Sequence, residues 1–220
     1  MKLLVKFNLI FVVVFGLGLL ATGYTAKEFL QNNAREQVLQ QARLMMETTA
    51  ATRGYTSKQI RPLLEVRQKR EDVFYPQSVP AFSAAQVFGY LKANYGDYNY
   101  KEATINPTNP QDRAVDWETD VINQFRNNSA RKEFVGERDT PTGRTLYLAK
   151  PMKVVASCLE CHSTVSAAPK AMVKIYGPNN GFAWKLDDVV TAQIVSIPMA
   201  IPIGIADKAF TNLYKNACPS

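Results

Sequence analysis

Histidine and cysteine are scarce in this chain, which contains one histidine and three cysteines in 220 residues. An odd number of cysteines in a chain of this length is not the pattern of a disulfide framework. The single histidine excludes any site that needs two imidazole groups. Chemistry that depends on thiols or imidazole is therefore confined to very few positions.

Clusters of one charge sign are also missing. Lys and Arg outnumber Asp and Glu by 26 to 19, for a net charge of +7, but no basic run is longer than two residues. Domains that bind nucleic acid gather basic residues on one face, so we expect no nucleic-acid partner. The hydrophobic share of 46% and the charged share of 20% are typical of a folded protein with a core.

The N-terminal segment has the pattern of an export signal or a membrane anchor. Lys2 and Lys6 precede the apolar run Leu9–Ala21, as in a secretory signal. The cleavage site is poor because Leu19 stands where a small residue is needed. Phe7–Tyr24 would form about 27 Å of helix, enough to span a bilayer. We favour an uncleaved anchor with its lysines in the cytoplasm; a cleaved signal and a buried core helix are the alternatives.

The first half of the chain reads as helices. Ala26–Thr52 lacks Pro and Gly and repeats small or apolar residues at helical spacing, which predicts a long helix that continues the anchor and ends near Gly54. A short helix is predicted at residues 57–68. Two more are predicted at about residues 80–93 and 112–126.

The second half reads mainly as strands, rich in Val, Ile and Thr. Helices followed by an antiparallel sheet make an α+β fold. The predicted strands are Glu133–Arg138, Arg144–Lys150, Met172–Tyr176 and Val189–Pro198.

The strongest motif is Cys158-Leu159-Glu160-Cys161-His162. Two cysteines separated by two residues and followed at once by histidine are the spacing for covalent attachment of a c-type haem. Each thiol adds across one vinyl group, and the adjacent imidazole of His162 becomes an axial ligand of the iron. We therefore predict one covalent haem held by Cys158, Cys161 and His162. Haem attachment also needs export, which the N-terminal segment supplies.

Three other interpretations share part of this motif. A thioredoxin-like redox pair has the same two cysteines, but no βαβ pattern surrounds them. Structural zinc needs four ligands, and only Cys218 remains to join the three residues of the motif. A plain disulfide between Cys158 and Cys161 is the third.

A second histidine is not available as the sixth ligand of the iron. We favour Met45, which lies on the long predicted helix, over Met46 and over methionines whose default role is core packing. Cys218, Lys, Tyr, water and an empty position are the alternatives.

Several further motifs accompany the haem motif between about Arg43 and Met199. They are Arg53-Gly54-Tyr55-Thr56, Val79-Pro80-Ala81-Phe82, Tyr100-Lys101-Glu102-Ala103, Asn106-Pro107, Asn109-Pro110, Asp116-Trp117-Glu118, Ala149-Lys150-Pro151, Tyr176-Gly177, Gly181-Phe182-Ala183-Trp184 and the closing strand Val195–Met199. With them the chain resembles a family of single-haem, PAS-like sensor domains that carry a c-type haem. Members occur as stand-alone anchored proteins and as extracytoplasmic parts of sensor kinases.

The resemblance implies a PAS-like antiparallel sheet with flanking helices, haem bound against the sheet, and a role in sensing redox state or a small ligand. It carries haem attachment onto Cys158 and Cys161 and axial ligation onto His162. The expected organisation is an anchor at residues 1–25, a linker helix packing on the domain at residues 26–56, and a PAS-like haem domain at residues 57–220. No kinase output segment follows in this sequence.

The first functional hypothesis is a membrane-anchored sensor or regulator with its domain in a periplasm or a thylakoid lumen. The alternatives are a tethered electron-transfer cytochrome and an accessory haem subunit of a membrane complex. We expect no enzyme, because the only histidine is already committed; weak peroxidase-like activity is the remaining enzymatic alternative. Expected partners are the membrane, a redox partner or signalling complex, and a second copy through the coiled-coil-like helix.

Overall fold

The computed structural model describes residues 3–141 and 143–217. Short turns of other helix types occur at Thr56–Ile60 (π-helix), Pro76–Ser78 and Pro110–Asp112 (3-10 helices). The α-helices are α1 (Leu3–Tyr55), α2 (Arg61–Glu71), α3 (Pro80–Lys92), α4 (Asp116–Asn127), α5 (Ala156–His162), α6 (Lys170–Tyr176) and α7 (Ala200–Ala217). The strands are β1 (Asn99–Thr104), β2 (Phe134–Thr140), β3 (Gly143–Lys153) and β4 (Val189–Pro198).

The four strands form one antiparallel sheet in the order β1-β4-β3-β2. A tight hairpin joins β2 and β3, with Thr140 paired to Gly143. In the centre of the sheet, Leu148 and Tyr100 both pair with Val195 of β4. The predicted α+β class, a long N-terminal helix followed by an antiparallel sheet with flanking helices, is confirmed.

One face of the sheet is an apolar core against α4. The amphipathic pattern of α4 buries Phe125 and its neighbours against the small and branched side chains of the strands. The buried members are Ala103, Val121, Ile122, Phe125, Ala149, Val189, Ala192 and Ile194, and Trp117, Phe134 and Tyr147 pack around them.

The opposite face of the sheet meets the second part of α1. Side chains alternate along a strand, so Leu146 and Leu148, both fully buried, share a face with Lys150 and Met152. Lys150 bonds Glu47, and Met152 accepts a hydrogen bond from Arg53. Ion pairs and a buried stripe of α1 that includes Ala42, Met46 and Thr49 therefore cover this face.

The long helix does not end at Gly54. Tyr55 and Arg61 both keep right-handed helical backbone, and the Arg61 N–H bonds the Thr56 carbonyl five residues back, which defines the π-helix. The prediction was wrong because one glycine weakens a helix by only about 1 kcal/mol, whereas the side of α1 that packs on the domain continues through Arg53 to the buried Thr56. The next helix accordingly begins at Arg61 instead of residue 57.

The predicted set of strands needs two corrections. Met172–Tyr176 lies in the helix α6, which Pro169 precedes and Gly177 ends in a left-handed conformation (φ 81°); the run lacks the strict alternation that distinguishes a strand. Strand β1 was not predicted. Its inward-facing side chains include Glu102 and Thr104, so the usual apolar alternation is missing.

The chain divides into two compact units, residues 41–198 and a terminal unit of residues 1–40 with 199–220. In the terminal unit α7 lies along α1: Gln31 Nε2 donates to Asp207 Oδ1 (3.2 Å), and a Cβ at Gly23 would lie 4.0 Å from the Phe210 ring. The helix beginning at Leu3 is long and apolar enough to cross a membrane, a test that a signal sequence also passes. The boundaries predicted at residues 25 and 56 stay a prediction.

Candidate functional site

All three residues of the sequence motif lie on α5, directly after β3. Val154, fully buried, anchors the start of this helix: its N–H bonds the Asp188 carbonyl, and its carbonyl accepts from Asp187 N–H. The extended backbone of Val155 then turns the chain into the helix, where Cys158 N–H bonds the Val155 carbonyl. The motif is therefore presented by a short helix whose entry is fixed to the sheet.

Helical spacing brings the two thiols and the imidazole together. Residues three and four apart on a helix are neighbours on one face, so Cys158 is adjacent to both Cys161 and His162. Both thiols are free and partly exposed. Burial raises the pKa of the Cys161 thiol, an effect that the nearby Arg61 opposes. Within the described ranges, no group of three or more His, Cys, Asp or Glu side chains is arranged to hold a metal ion.

The His162 ring is held in one tautomer. Its Nδ1 lies 2.7 Å from the Gly181 carbonyl oxygen. A carbonyl can only accept, so Nδ1 carries the hydrogen and Nε2 keeps its lone pair, which is the form that binds a metal. Burial lowers the pKa of His162, and the bond to Gly181 partly offsets this. The ring is therefore neutral at pH 7.

A loop after α6 stacks on the histidine. The Trp184 indole lies parallel to the imidazole, with ring centroids 4.1 Å apart and planes 13° apart. The backbone N–H of Trp184 bonds the His162 carbonyl, and the backbone N–H of Ala183 bonds the Ser163 carbonyl. These bonds satisfy carbonyls at the end of α5 that have no partner within the helix. They also hold Ala183 at φ 62°, a conformation that non-glycine residues seldom adopt.

Gly181 and Thr108 meet beside the same ring. Thr108 Oγ1 lies 3.4 Å from His162 Nδ1. Gly181 has φ +84°, and a Cβ there would overlap the Thr108 hydroxyl and lie 2.8 Å from its backbone nitrogen. Only glycine fits this close approach. In the sequence, the Asn-Pro pairs on either side of Thr108 were the only local signal for this contact.

On its other side α5 contacts the start of α2. Glu160, inside the motif, pairs with Arg61, the residue that follows the π-helix. The segment predicted to carry the haem is thus bonded directly to the helical rod formed by α1, the π-helix and α2.

A buried polar cluster lies where α1 meets the sheet. The Glu102 side chain, 6% exposed, pairs with Arg53 and accepts a hydrogen bond from Tyr100 Oη at 2.7 Å. Gln193 Nε2 donates to the same Tyr100 oxygen, and Arg53 Nη2 lies 3.1 Å from Met152 Sδ. Burial and the charge of Glu102 raise the pKa of Tyr100, which stays protonated.

Asp112 N–H bonds the Asn109 carbonyl in the loop that carries Thr108, and its carboxyl group lies close enough to this cluster to be affected by the charge of Glu102. Burial is the main cause that raises the pKa of Asp112 to about 6, and the negative charge of Glu102 adds to it. The positive charge of Lys101 opposes the shift. Asp112 in turn raises the pKa of Tyr176, whose shift is due mainly to burial. Sequence reasoning assigned no role to the buried Glu102 or the half-buried Asp112, because burial of a polar residue is set by distant parts of the chain.

The structure does not test the predicted sixth ligand. Met45 is half-buried on α1, whereas its neighbour Met46 is fully buried beside Thr49. Met45 stands two residues before Glu47, the partner of Lys150. Arg53, which faces Met152, lies about 12 Å further along the helix at about 1.5 Å per residue. Cys218, the other side chain considered, lies outside the described residues.

Comparison with known proteins shows which family has this architecture. A model of the Tll0287-like family matches residues 31–198. The crystal structure of the cyanobacterial haem protein Tll0287 is similar to this structure with a TM-score of 0.55 and 16% sequence identity, covering 74% of this chain and 95% of that chain. Among curated protein sequences, none is significantly similar to the chain. Because the family model spans most of the chain, from the long helix through the last strand, the chain belongs to the Tll0287-like family.

Proposed function

We propose that the chain is a membrane-anchored, extracytoplasmic c-type haem protein that senses redox state or a small ligand. The observation that carries this proposal is the setting of α5, where two free thiols and a neutral imidazole share one helix face. Membership of a family whose structural relative is described as a haem protein supports it.

The residues present fit a covalent haem. Cys158 and Cys161 would each add a thiol S–H across one vinyl group, forming a thioether with no leaving group. His162 would offer Nε2 to the iron, since Nδ1 is committed to Gly181. Trp184 and Thr108 restrict rotation of the imidazole. When bound, the haem supplies a redox-active iron with axial coordination sites.

The N-terminal helix supports anchoring, and its position supports export. Leu3–Tyr55 begins with an apolar stretch whose large side chains are exposed within the chain itself. Lysines before this stretch favour a cytoplasmic N-terminus. The domain would then lie in the periplasm or in a thylakoid lumen.

A sensing role is favoured over simple electron transfer by the contacts of the helical rod. The Glu160–Arg61 pair joins the motif to α2, and Arg53 joins α1 to the buried carboxylate Glu102. A change in the position of α5 would therefore act directly on the helical rod that leads towards the anchor. Exposed Leu44, Tyr55 and Leu63 on the same rod favour a second copy as a partner. No enzymatic turnover is included in the proposal.

The first test is expression of the full chain together with haem-attachment machinery. We expect haem that stays bound to the denatured chain, and its loss when both cysteines are replaced (Cys158→Ser with Cys161→Ser). A serine at one of the two positions should leave a single thioether and a shifted absorbance maximum. Absence of haem from the unaltered chain would overturn the proposal.

Optical spectra with and without carbon monoxide would separate the two main functions. Ferrous iron that binds carbon monoxide at once indicates a labile sixth site and favours a sensor of small ligands. A low-spin spectrum with a sulfur-to-iron charge-transfer band and no response indicates fixed ligation, which fits redox sensing or electron transfer. Met45→Leu should then abolish the band, whereas Met46→Leu, a change at the adjacent buried position, should leave it intact. An unchanged band in Met45→Leu would exclude Met45.

A further inference from the structure

The C-terminal helix α7 approaches the apolar part of α1. Asp207 meets Gln31, and three residues later Phe210 meets Gly23. Because the residue numbers rise on α7 as they fall on α1, the two helices run antiparallel. On α1, the half-buried Gly23 and Leu30 and the buried Ala34 recur at helical spacing and form the side on which α7 can pack.

The position of Phe210 sets the depth of α7. Gly23 belongs to the stretch Phe7–Tyr24, which is the part of α1 long and apolar enough to span a bilayer. The Phe210 ring, 4.0 Å from where a Cβ at Gly23 would lie, is therefore at the edge of that bilayer. From Phe210 to Ala217 the helix continues for about 10 Å at about 1.5 Å per residue.

The surface of the two helices at this level suits a lipid headgroup region. Tyr24 and Phe29 of α1 are 68% and 66% exposed, and Ile205 of α7 is 64% exposed. Aromatic side chains are enriched at membrane–water boundaries, and lysines there extend their charge into the headgroups. Lys27 and Lys208, both exposed, provide such charges.

We propose that the end of α7 enters the headgroup region of the same bilayer that α1 spans, alongside α1, so that lipid contacts its exposed side. This proposal rests on the anchor in the proposed function. The consequence is that the chain contacts the membrane through two helices, one crossing it and one entering its headgroup region beside the first, and that the strand β4 leads directly into the second.

Cysteine reactivity can test this in the full haem-loaded chain. Two exposed threonines provide a matched pair: Thr211 Oγ1 on α7 and Thr48 Oγ1 on α1 each donate to a carbonyl four residues earlier at 2.8 Å. Each is replaced separately by cysteine (Thr211→Cys or Thr48→Cys) with Cys218→Ser to remove the remaining thiol. The proteins are placed in nanodiscs of phosphatidylcholine and phosphatidylglycerol, and modification by a charged, water-soluble maleimide is followed by mass spectrometry.

We expect the thiol at position 211 to react at least about tenfold more slowly than the thiol at position 48, because an apolar setting raises a thiol pKa and one pKa unit is a tenfold change in thiolate. A lipid-soluble maleimide should remove the difference. Equal rates with the charged reagent would mean that α7 lies in water. This result would overturn the proposal for α7 but would not contradict the membrane anchor. Slow reaction with both reagents would mean that protein covers α7, which also overturns the proposal. A chain that fails to stay with the nanodiscs would instead contradict the anchor itself.

Discussion

The two faces of the sheet use opposite means to pack. The face against α4 is built from Phe125, Ile122 and other apolar side chains. The face against α1 combines Leu146 and Leu148 with a buried ion pair and a hydrogen-bonded tyrosine. An apolar core tolerates exchange of one apolar side chain for another of similar volume, whereas a buried charge is stable only with its partners in place. The difference separates a face held by apolar packing from one held by specific polar pairs.

The largest effect is expected on the apolar face. Phe125→Ala should lower the free energy of unfolding by about 3–5 kcal/mol, because it removes a side chain that is 1% exposed and leaves a cavity. Urea unfolding measures the change. Val87→Ala, at a position 43% exposed, should change it by less than about 0.5 kcal/mol. The absorption spectrum of the folded, haem-loaded protein should stay as it is; a changed spectrum would mean that this face also supports the site.

A smaller loss is expected from one member of the ion pair on the other face. Glu102→Ala should cost about 2–4 kcal/mol, because Arg53 and the Tyr100 hydroxyl lose their buried acceptor. Replacing both charged residues by apolar ones, Arg53→Met with Glu102→Leu, should recover much of this loss in the same urea assay. If the double variant is as unstable as the sum of the two single variants, the charges do not act as a pair.

The smallest effect is a dependence on pH that arises from a carboxyl group near the polar face. Burial and the charge of Glu102 raise the pKa of Asp112 from the usual range of an aspartate to about 6. An acid with a raised pKa favours the folded state while it is protonated, so this contribution is complete below pH 4 and is lost as pH rises through 6. Asp112 is partly exposed, and solvent screening limits the effect to about 1 kcal/mol.

Urea unfolding at pH 4 and pH 7 tests this contribution. Asp112→Asn should reduce the loss of stability between the two pH values, whereas Asp120→Asn, at an exposed position on the apolar face's helix α4, should not. An identical pH profile in Asp112→Asn and the unaltered protein would contradict the assignment.

Sequence patterns predicted the apolar face better than the polar one. Strand β4 was predicted with its observed bounds, and the hairpin of β2 and β3 was predicted around its Pro and Gly turn, because alternating and β-branched residues determine both locally. Strand β1 was missed because Tyr100 and Glu102 point into the protein, where their burial depends on Arg53, about 50 residues away. Helix α7 was also missed, and its contact with α1 joins the two ends of the chain.

In the candidate site, too, some features can be predicted from the local sequence and others depend on distant residues. Cys158, Cys161 and His162 form a motif that can be read from five consecutive residues. The tautomer of His162 cannot be read in that way, because it depends on Gly181, and Gly181 must be glycine because Thr108 comes close to it from a different part of the chain. Local patterns therefore predict which residues are the candidate ligands, while long-range contacts determine the orientation in which those residues are held.

The π-helix has a consequence for rotation along the rod. In an unbroken α-helix, eight residues turn about 800°, which would leave Arg53 and Arg61 facing about 80° apart. At Thr56–Ile60 the hydrogen bond spans five residues instead of four, so one extra residue is accommodated and about 100° of that rotation is removed. Both guanidinium groups consequently point to nearly the same side, where Arg53 meets Glu102 and Arg61 meets Glu160. One surplus residue in a helix thus aligns two ion pairs that a regular helix of the same length would hold out of phase.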